Sequence, residues 1–507
     1  MSNILQAASV LLARGPGSPQ VFVVARAPAL RFLGGFLAFP GGKVHSSDGK
    51  LAAALADVSG WLTGQHVAAV RELFEETGVL LARDETGAFP AASPSLALNR
   101  KQLLAEQMTF ADLLAERQLR LHPDDLTFIG SLVTPPFAPL RFDTAFFVAV
   151  LPPGQTAEVW PGELTEGAWR SAEQALADWN AGDNLVSPPT LALLHAIRGR
   201  PVEEWPNQVA RSASDGRSVP SLALRASEGP IWFSPGVQMI PLFTEGLPPS
   251  THTNAYLAGS DPAYLIDPGA SDADEQARLF DLLAGRKLRG VVLTHHHSDH
   301  VGAAAVCAER YGVPILAHPL TAQALHGRIE VQQFINDGDC LDLGTVPDGK
   351  GGWHLQAIHT PGHASGHLSF WEPRYRLLFA GDMISMLSSV LIPPPPEGDL
   401  AEYLHSLQRL QSYPARLLLP AHGSPNACPA LILEQALAHR REREEQLLQA
   451  LEAGPRTVPE LVMELYRGLP ADLMRFAEMQ IQAGLHKLQR DGRAMSSDTN
   501  SIWQRSR

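Results

Sequence analysis

Cysteine is scarce. The 507 residues include three, Cys307, Cys340 and Cys428, and none forms a CxxC pair. An odd number this widely spaced argues for reduced thiols in a cytoplasmic setting rather than a disulfide frame. Long apolar runs are missing as well: nothing approaches the roughly 18 residues of a membrane-crossing helix, so no membrane partner is expected. The opening MSNILQAASVLLARGPG has no basic n-region, and its apolar part reads as a first strand rather than a secretion signal. Positive charge is in deficit. Forty Lys and Arg against 53 Asp and Glu leave a net charge of −13, which works against non-specific nucleic-acid binding. Residues 430–507 hold eleven of each sign, so that tail is neutral and the deficit lies upstream. There is no internal repeat and no low-complexity tract.

What remains is a globular composition, 45% hydrophobic and 18% charged, in a chain long enough for roughly two to four domains. The first segment reads as strands AASVLLAR and QVFVVARA, a loop GGFLAFPGGKV, a helix near 64–78, a strand in RFDTAFFVAVLP and a closing helix SPPTLALLHAIRG. Residues 201–235 lose periodicity and gain Pro, Ser and Gly, the pattern of a linker. Strands and helices then alternate through GVQMIPL, TNAYLAG, AYLIDPG, DADEQARLFDLLAG, GVVLTH and AAAVCAERYG. Three helical patterns close the chain after residue 430.

In VAAVRELFEETGVLL, Glu72, Glu75 and Glu76 stand at i, i+3 and i+4, on one side of a helix whose other side is Val67, Val70, Leu73 and Phe74. Gly78 sits where a C-cap is expected. Like charges so placed need a cation, and the helix alone also fits a solvated acidic face paired with Arg71. Upstream, Gly41 and Gly42 allow close backbone approach to a ligand. RELFEETGV resembles the second half of the Nudix box, with Arg71, Glu72, Glu75, Glu76 and Gly78 in family positions. The first half is split: Gly42, then Asp48 where Glu is usual, then some fifteen extra residues. That insertion, FPGG and RFDTAFF are similar to the coenzyme A diphosphatase branch. The resemblance covers about residues 5–197. It implies Mg²⁺ or Mn²⁺ on Glu72, Glu75 and Glu76, contacts to the bound group from Gly41, Gly42 and Arg71, and hydrolysis of a nucleoside-diphosphate-linked metabolite. Glu163 or Glu166, before Trp169, offers a further acid, but the expected reading of both is a plain surface-loop acid.

The second cluster is VVLTHHHSDHVGA, residues 291–303, where a buried strand opens into four histidines and an aspartate. His295 and His297 are two apart and point the same way on extended backbone. Further ligand types follow apolar runs: His363 in HTPGHASGHLSF, Asp382 in LLFAGDM, His422 in LLLPAHG. The set resembles the metallo-β-lactamase superfamily over about residues 236–425. By that resemblance His295, His297 and His363 bind one metal, Asp299, His300 and His422 a second, and Asp382 bridges. Two Zn²⁺ suit these donors, with Fe or Mn as alternatives. His296 is expected to point away, His359 and His367 not to ligate, and Asp267 to support the site. STHTNAYLAG and the tail, with ADLMRFAEMQIQAGLHKLQRDGRA as last helix and wing, look like the branch of lactamase-beta-like protein 2, an endoribonuclease.

The expected architecture is therefore α/β and α+β multidomain: a Nudix α/β/α sandwich over 1–200, the linker 201–235, a metallo-β-lactamase αββα sandwich over 236–429 and a winged-helix-like tail over 430–507. The expected activity is that of a bifunctional metal-dependent hydrolase on small molecules. Its first half would act on coenzyme A or an acyl-coenzyme A. Its second half would cut a thioester or related ester through a dinuclear-metal hydroxide, with Asp299 counted among the catalytic residues. Two alternatives stand beside it. In one the second half is an endoribonuclease, with RNA as partner; in the other one site senses a nucleotide and regulates the other.

Overall fold

A computed structural model describes residues 4–15, 18–30, 33–59, 62–138, 140–209, 231–497 and 502–506. The chain forms two compact units, Met1–Pro235 and Gly236–Arg507. No helix among the described residues is long and apolar enough to cross a membrane.

The first unit is built on one mixed sheet. Strands β1 (Leu5–Arg14), β2 (Gln20–Arg26), β3 (Leu37–Ala38), β4 (Gly41–Lys43), β5 (Thr127–Val133), β6 (Phe142–Val150) and β7 (Leu164–Arg170) run in the order β3-β2-β1-β6-β5, with β4 on β1 and β7 on β2. β1 is apolar on both faces because both are covered. Val10 and Leu12 pack with Val67, Val70, Leu73 and Phe74, whereas Leu11 and Ala13 pack with Leu176, Trp179, Leu191 and Leu194. β1 pairs in parallel with β6 from Leu5↔Phe142 to Ala13↔Val150, and β4 lies antiparallel to it at Ala7↔Lys43 to Ser9↔Gly41.

The insertion between Asp48 and Arg71 is largely helix α1 (Ser46–Ser59), packed on helix α2 (Gly64–Thr77). Gly78 closes α2 at φ 75, its amide bonded to Phe74 O, as a C-cap in the left-handed region should be. Helices Pro94–Leu104 and Phe110–Glu116 were not legible as periodic segments. The aperiodic stretch 201–235 is not linker throughout. Trp205 and Val209 are buried in the first unit's core, and Ile231–Ser234 is a strand. Residues 210–230 of that stretch lie outside the described residues.

In the second unit, β8 (Val237–Phe243), β9 (His252–Ala258), β10 (Ala263–Ile266), β11 (Leu288–Val292), β12 (Ile315–Ala317) and β13 (Gln333–Phe334) neighbour one another in that order. A second sheet orders β14 (Cys340–Thr345), β15 (Gly352–His359), β16 (Leu368–Glu372), β17 (Leu377–Ser385) and β18 (Leu417–His422) sequentially. Leu279 and Cys307 cover the first sheet from helices α3 (Ala273–Leu282) and α4 (Ala304–Tyr311). Leu407 and Leu410 of α5 (Leu400–Gln411) cover the second. The two sheets meet where Tyr256 packs edge-on to Phe379 at 5.3 Å and its hydroxyl donates to Pro420 O. This is a helix–sheet–sheet–helix arrangement.

The tail consists of α6 (Pro429–Glu452), α7 (Val458–Leu465), α8 (Met474–Arg490) and a hairpin of Ala494–Ser496 with Trp503–Arg505. It is not set off at residue 430. Leu433 and Leu437 of α6 belong to the core over the second sheet, while Leu447, Leu448 and Leu451 of the same helix pack with Leu461, Ile481, Leu485 and Trp503. One continuous helix thus shares two cores.

Candidate metal centre and carboxylate cavity

The strand end after β11 places the first ligand-type residues. His295 Nε2 lies 2.9 Å from His297 Nδ1, and His363 Nε2 lies 2.9 Å from that same nitrogen. A second convergence joins Asp299, His300 and His422, and a third joins His295, His300 and Asp382. Asp382 reaches across, with Oδ1 3.5 Å from His300 Nε2 and 3.2 Å from His422 Nε2, and Oδ2 3.5 Å from His363 Nε2. All seven residues expected at this centre are therefore brought together.

Hydrogen bonds behind the rings decide which nitrogen faces inward. Thr294 Oγ1 donates to Asp267 Oδ2 at 2.6 Å, so toward His295 Nδ1, 2.9 Å away, it acts as acceptor. His300 Nδ1 donates to Asp267 Oδ2 and His363 Nδ1 to Leu391 O. His422 Nδ1 donates to His252 O, and His297 Nε2 to Glu397 Oε1 at 3.1 Å. Each imidazole so held presents a lone pair to the centre, the tautomer that a metal ligand requires. His300 Nε2 and Asp382 Oδ1 are buried without a hydrogen-bond partner. Orphaned buried atoms of this kind are costly unless a cation completes them, so the donor set fits divalent metal.

Electrostatics divide the rings: burial pulls His300 and His422 down, but the carboxylates beside them, Asp382 foremost, outweigh it and push both up, the reverse of His295 and His363. Burial, with neighbouring rings, pushes His295 well down and His363 down to about 4, which favours the neutral donor form. Burial opposes ionisation of Asp382, yet His422 and His300 beside it hold its carboxyl well below the ordinary range. His367, expected not to ligate, accepts from Asp382 N at 3.0 Å through Nε2 and so helps position Asp382. His359 bonds Ser365 O, away from the centre. His296 joins neither ring group; it lies beside His297 and Glu397. Asp267 is buried and backs His300. Sequence reasoning missed Glu397 and the Leu391 carbonyl, which stand far along the chain and carry no motif.

In the first unit, Glu72, Glu75 and Glu76 line a cavity of about 700 Å³ with Gly41, Gly42 and Glu163. A Cβ at Gly42 would stand 2.4 Å from Glu72 Cδ, so a side chain there would displace that carboxylate. Gly41 N donates to Glu76 Oε2 at 2.8 Å. Arg71 departs from expectation. It is buried and does not line the cavity; its guanidinium donates to both Asp48 oxygens, Glu72, Glu75 and Lys43 O. Arg71 therefore orients the carboxylates rather than touching a bound group. Asp48 on α1 closes this network, which gives the inserted helix a place in the site. Burial pushes Glu75 up to about 7, and burial with Glu72 pushes Glu76 up to about 8. The oxygens of the three glutamates are not among the groups whose ligand atoms all converge within 4.8 Å.

An αββα fold that gathers five imidazoles, four of them buried, and two carboxylates around one centre defines a metal-dependent hydrolase. Residues 249–422 match the metallo-beta-lactamase superfamily and residues 457–503 the beta-lactamase associated winged helix domain; the chain belongs to the metallo-β-lactamase superfamily. It is 33% identical over 256 residues to an atrochrysone carboxyl ACP thioesterase of Passalora fulva, covering 48% of this chain and 72% of that one. It is 28% identical to the beta-lactamase-like protein 2 homolog of Drosophila melanogaster, covering 48% and 83%. A solved NUDIX hydrolase from Alicyclobacillus acidocaldarius superposes with TM-score 0.36 at 31% identity, over 41% of this chain and 97% of that one.

Proposed function

We propose that the second unit hydrolyses a thioester of a small acyl group, and that the first unit is a Nudix-type diphosphatase acting on a coenzyme A-like metabolite. The observation that carries the thioester reading is the charge of the cleft before the metal centre. This cleft, about 710 Å³, offers one guanidinium, Arg475, against Glu245, Glu397 and Asp472 outside the ligand set, with Leu473, Phe476 and Met479 on its tail side. The uncharged acyl–pantetheine arm of a thioester suits such walls, with any coenzyme A phosphates at the far end of that arm. An RNA chain carries phosphates along its whole length and loses the contacts on which its affinity depends. The thioesterase relative supports the same class. The winged-helix match supports a second reading, an RNA phosphodiester as substrate.

Two Zn²⁺ held by His295, His297 and His363 and by Asp299, His300 and His422, with Asp382 between, would supply a Lewis acid and an acidified water. Asp299 Oδ2, 3.5 Å from His422 Nε2, faces the cleft and is placed to orient the attacking water and take its proton. In the first unit Glu72, Glu75 and Glu76 would hold Mg²⁺ or Mn²⁺, which neutralises a diphosphate. Arg26 and Lys43 in the same cavity would supply positive charge to the phosphates.

Mass spectrometry of products from an acyl-coenzyme A, with Zn²⁺ and Mg²⁺ present, tests both halves. Free coenzyme A, lost in Asp299→Ala/His300→Ala, is the expected product of the second unit. Acyl-phosphopantetheine with 3′,5′-ADP, lost in Glu75→Gln/Glu76→Gln, is expected from the first. Neither product from metal-loaded protein, together with cleavage of an RNA oligonucleotide lost in Asp299→Ala/His300→Ala, would replace the thioester reading with the second one.

A further inference from the structure

Two of the ring anchors described above lie on one stretch, residues 386–399, between β17 and α5. Leu391 O accepts from His363 Nδ1 at 2.7 Å, and Glu397 Oε1 accepts from His297 Nε2. The stretch has no regular structure over most of its length. Something outside it must fix its position.

That support comes from the C-terminal tail. Val390 O, one residue before the His363 anchor, accepts from Arg440 Nη2 on α6 and from Gln480 Nε2 on α8, the latter at 2.8 Å. Arg440 Nη1 also donates to Gln480 Oε1 at 3.1 Å, which locks the two donors together. The same guanidinium lies 5.2 Å from the Tyr403 ring centre, and Tyr403 Oη donates to Met383 O, next to Asp382. Tyr403 further packs so closely on Gly362, the residue before His363, that a Cβ there would stand 2.3 Å from Tyr403 Cα. At the far end of the stretch, Arg490 of α8 donates to both oxygens of Asp399.

Arg440 is only 7% exposed, and its partners are a carbonyl, a side-chain amide and a phenol ring rather than a carboxylate. A buried guanidinium with no carboxylate partner among the described residues is a costly way to fill a helix interface that Leu or Met would fill without that cost. Its geometry matches a different task.

We propose that Arg440 and Gln480 are positioning residues for the metal centre, setting the orientation of His363 through Val390 and Leu391. The tail is thereby part of the hydrolase site and not only a neighbouring module. Groups that orient metal-bound imidazoles through their second nitrogen change metal affinity by roughly 10–100-fold when lost. Arg440 acts one step further back, so its loss is expected at the lower end of that range.

The inference rests on the reading that His297 and His363 hold metal, and its test reads metal directly. Zn²⁺ affinity is measured on the full chain by competition with a chromophoric chelator, and the visible absorption of the Co²⁺-substituted protein reports ligand geometry. Arg440→Met is expected to bind Zn²⁺ about 10-fold more weakly, with a displaced Co²⁺ spectrum and a fall in kcat that leaves KM unchanged. Arg440→Lys, which retains one donor toward Val390 O, is expected to recover part of the loss. Where Arg440→Met does not fold, Gln480→Leu decides, because Gln480 is only partly buried. Wild-type affinity and an unshifted Co²⁺ spectrum in a folded variant would overturn the coupling while leaving the metal centre standing. No Zn²⁺ bound by the wild type would overturn both.

Discussion

His300 and Asp267 are joined by a 2.9 Å hydrogen bond from Nδ1 to Oδ2, at full burial of the ring. The other Asp267 oxygen accepts from Thr294 N at 2.8 Å, and Asp267 itself sits at φ 49, in the left-handed region that a non-glycine residue seldom adopts. A strained backbone held by so many bonds belongs to a site that depends on it. Through Asp267 the tautomers of two rings, His295 and His300, are set by one carboxylate.

Asp267→Asn should therefore weaken Zn²⁺ binding by roughly 10–100-fold, because an amide nitrogen cannot accept from both Thr294 Oγ1 and His300 Nδ1. Chelator competition on folded protein checks this; unaltered affinity would mean that the pair only stabilises the fold.

Gly381 supplies a second test. It lies at φ 50, and a Cβ would stand 2.5 Å from His367 Nε2, the atom that accepts from Asp382 N. Gly381→Ala combines about 1–2 kcal/mol of left-handed backbone strain with displacement of the Asp382 anchor. Lower stability and weaker metal binding should appear together. A variant that loses stability but keeps full metal affinity would show that His367 does not position Asp382.

The first unit predicts a pH effect. Glu76 is raised from 4.5 to about 8 by burial and by Glu72. A carboxyl that binds its proton more tightly when folded adds stability below its unfolded pKa, and that contribution is lost as pH rises through the folded value. In chelator, thermal stability of this unit should fall between about pH 5 and pH 8, Mg²⁺ should restore it at pH 8, and Glu76→Gln should flatten the profile. A flat wild-type profile would contradict the burial of an unneutralised carboxylate.

Much of this was legible because metal chemistry concentrates its signal. His295, His297, Asp299 and His300 occupy six positions at one strand end, and His363, Asp382 and His422 each follow an apolar run. The glutamate helix was equally readable, since three acids at i, i+3 and i+4 share a face. The misses have physical causes. Arg71 looked like a ligand contact because a motif carries no burial; only the fold shows its guanidinium enclosed by carboxylates. The role of the insertion that α1 opens was not legible, because only the fold brings Asp48 against Arg71. Leu391 acts through its carbonyl, which no side-chain pattern reveals, and Arg440 reaches Val390 across fifty residues of chain.

The most direct test is the metal content of the purified full chain after Zn²⁺ loading and desalting, determined by inductively coupled plasma mass spectrometry beside Asp382→Ala and His295→Ala/His297→Ala. In Mg²⁺-free buffer, the wild type should retain about two Zn²⁺ per chain, as a paired imidazole–carboxylate site requires, and both variants should retain markedly less. A wild type that retains only traces, or variants that retain as much as the wild type, would contradict the assignment of these side chains to a metal-dependent hydrolase centre.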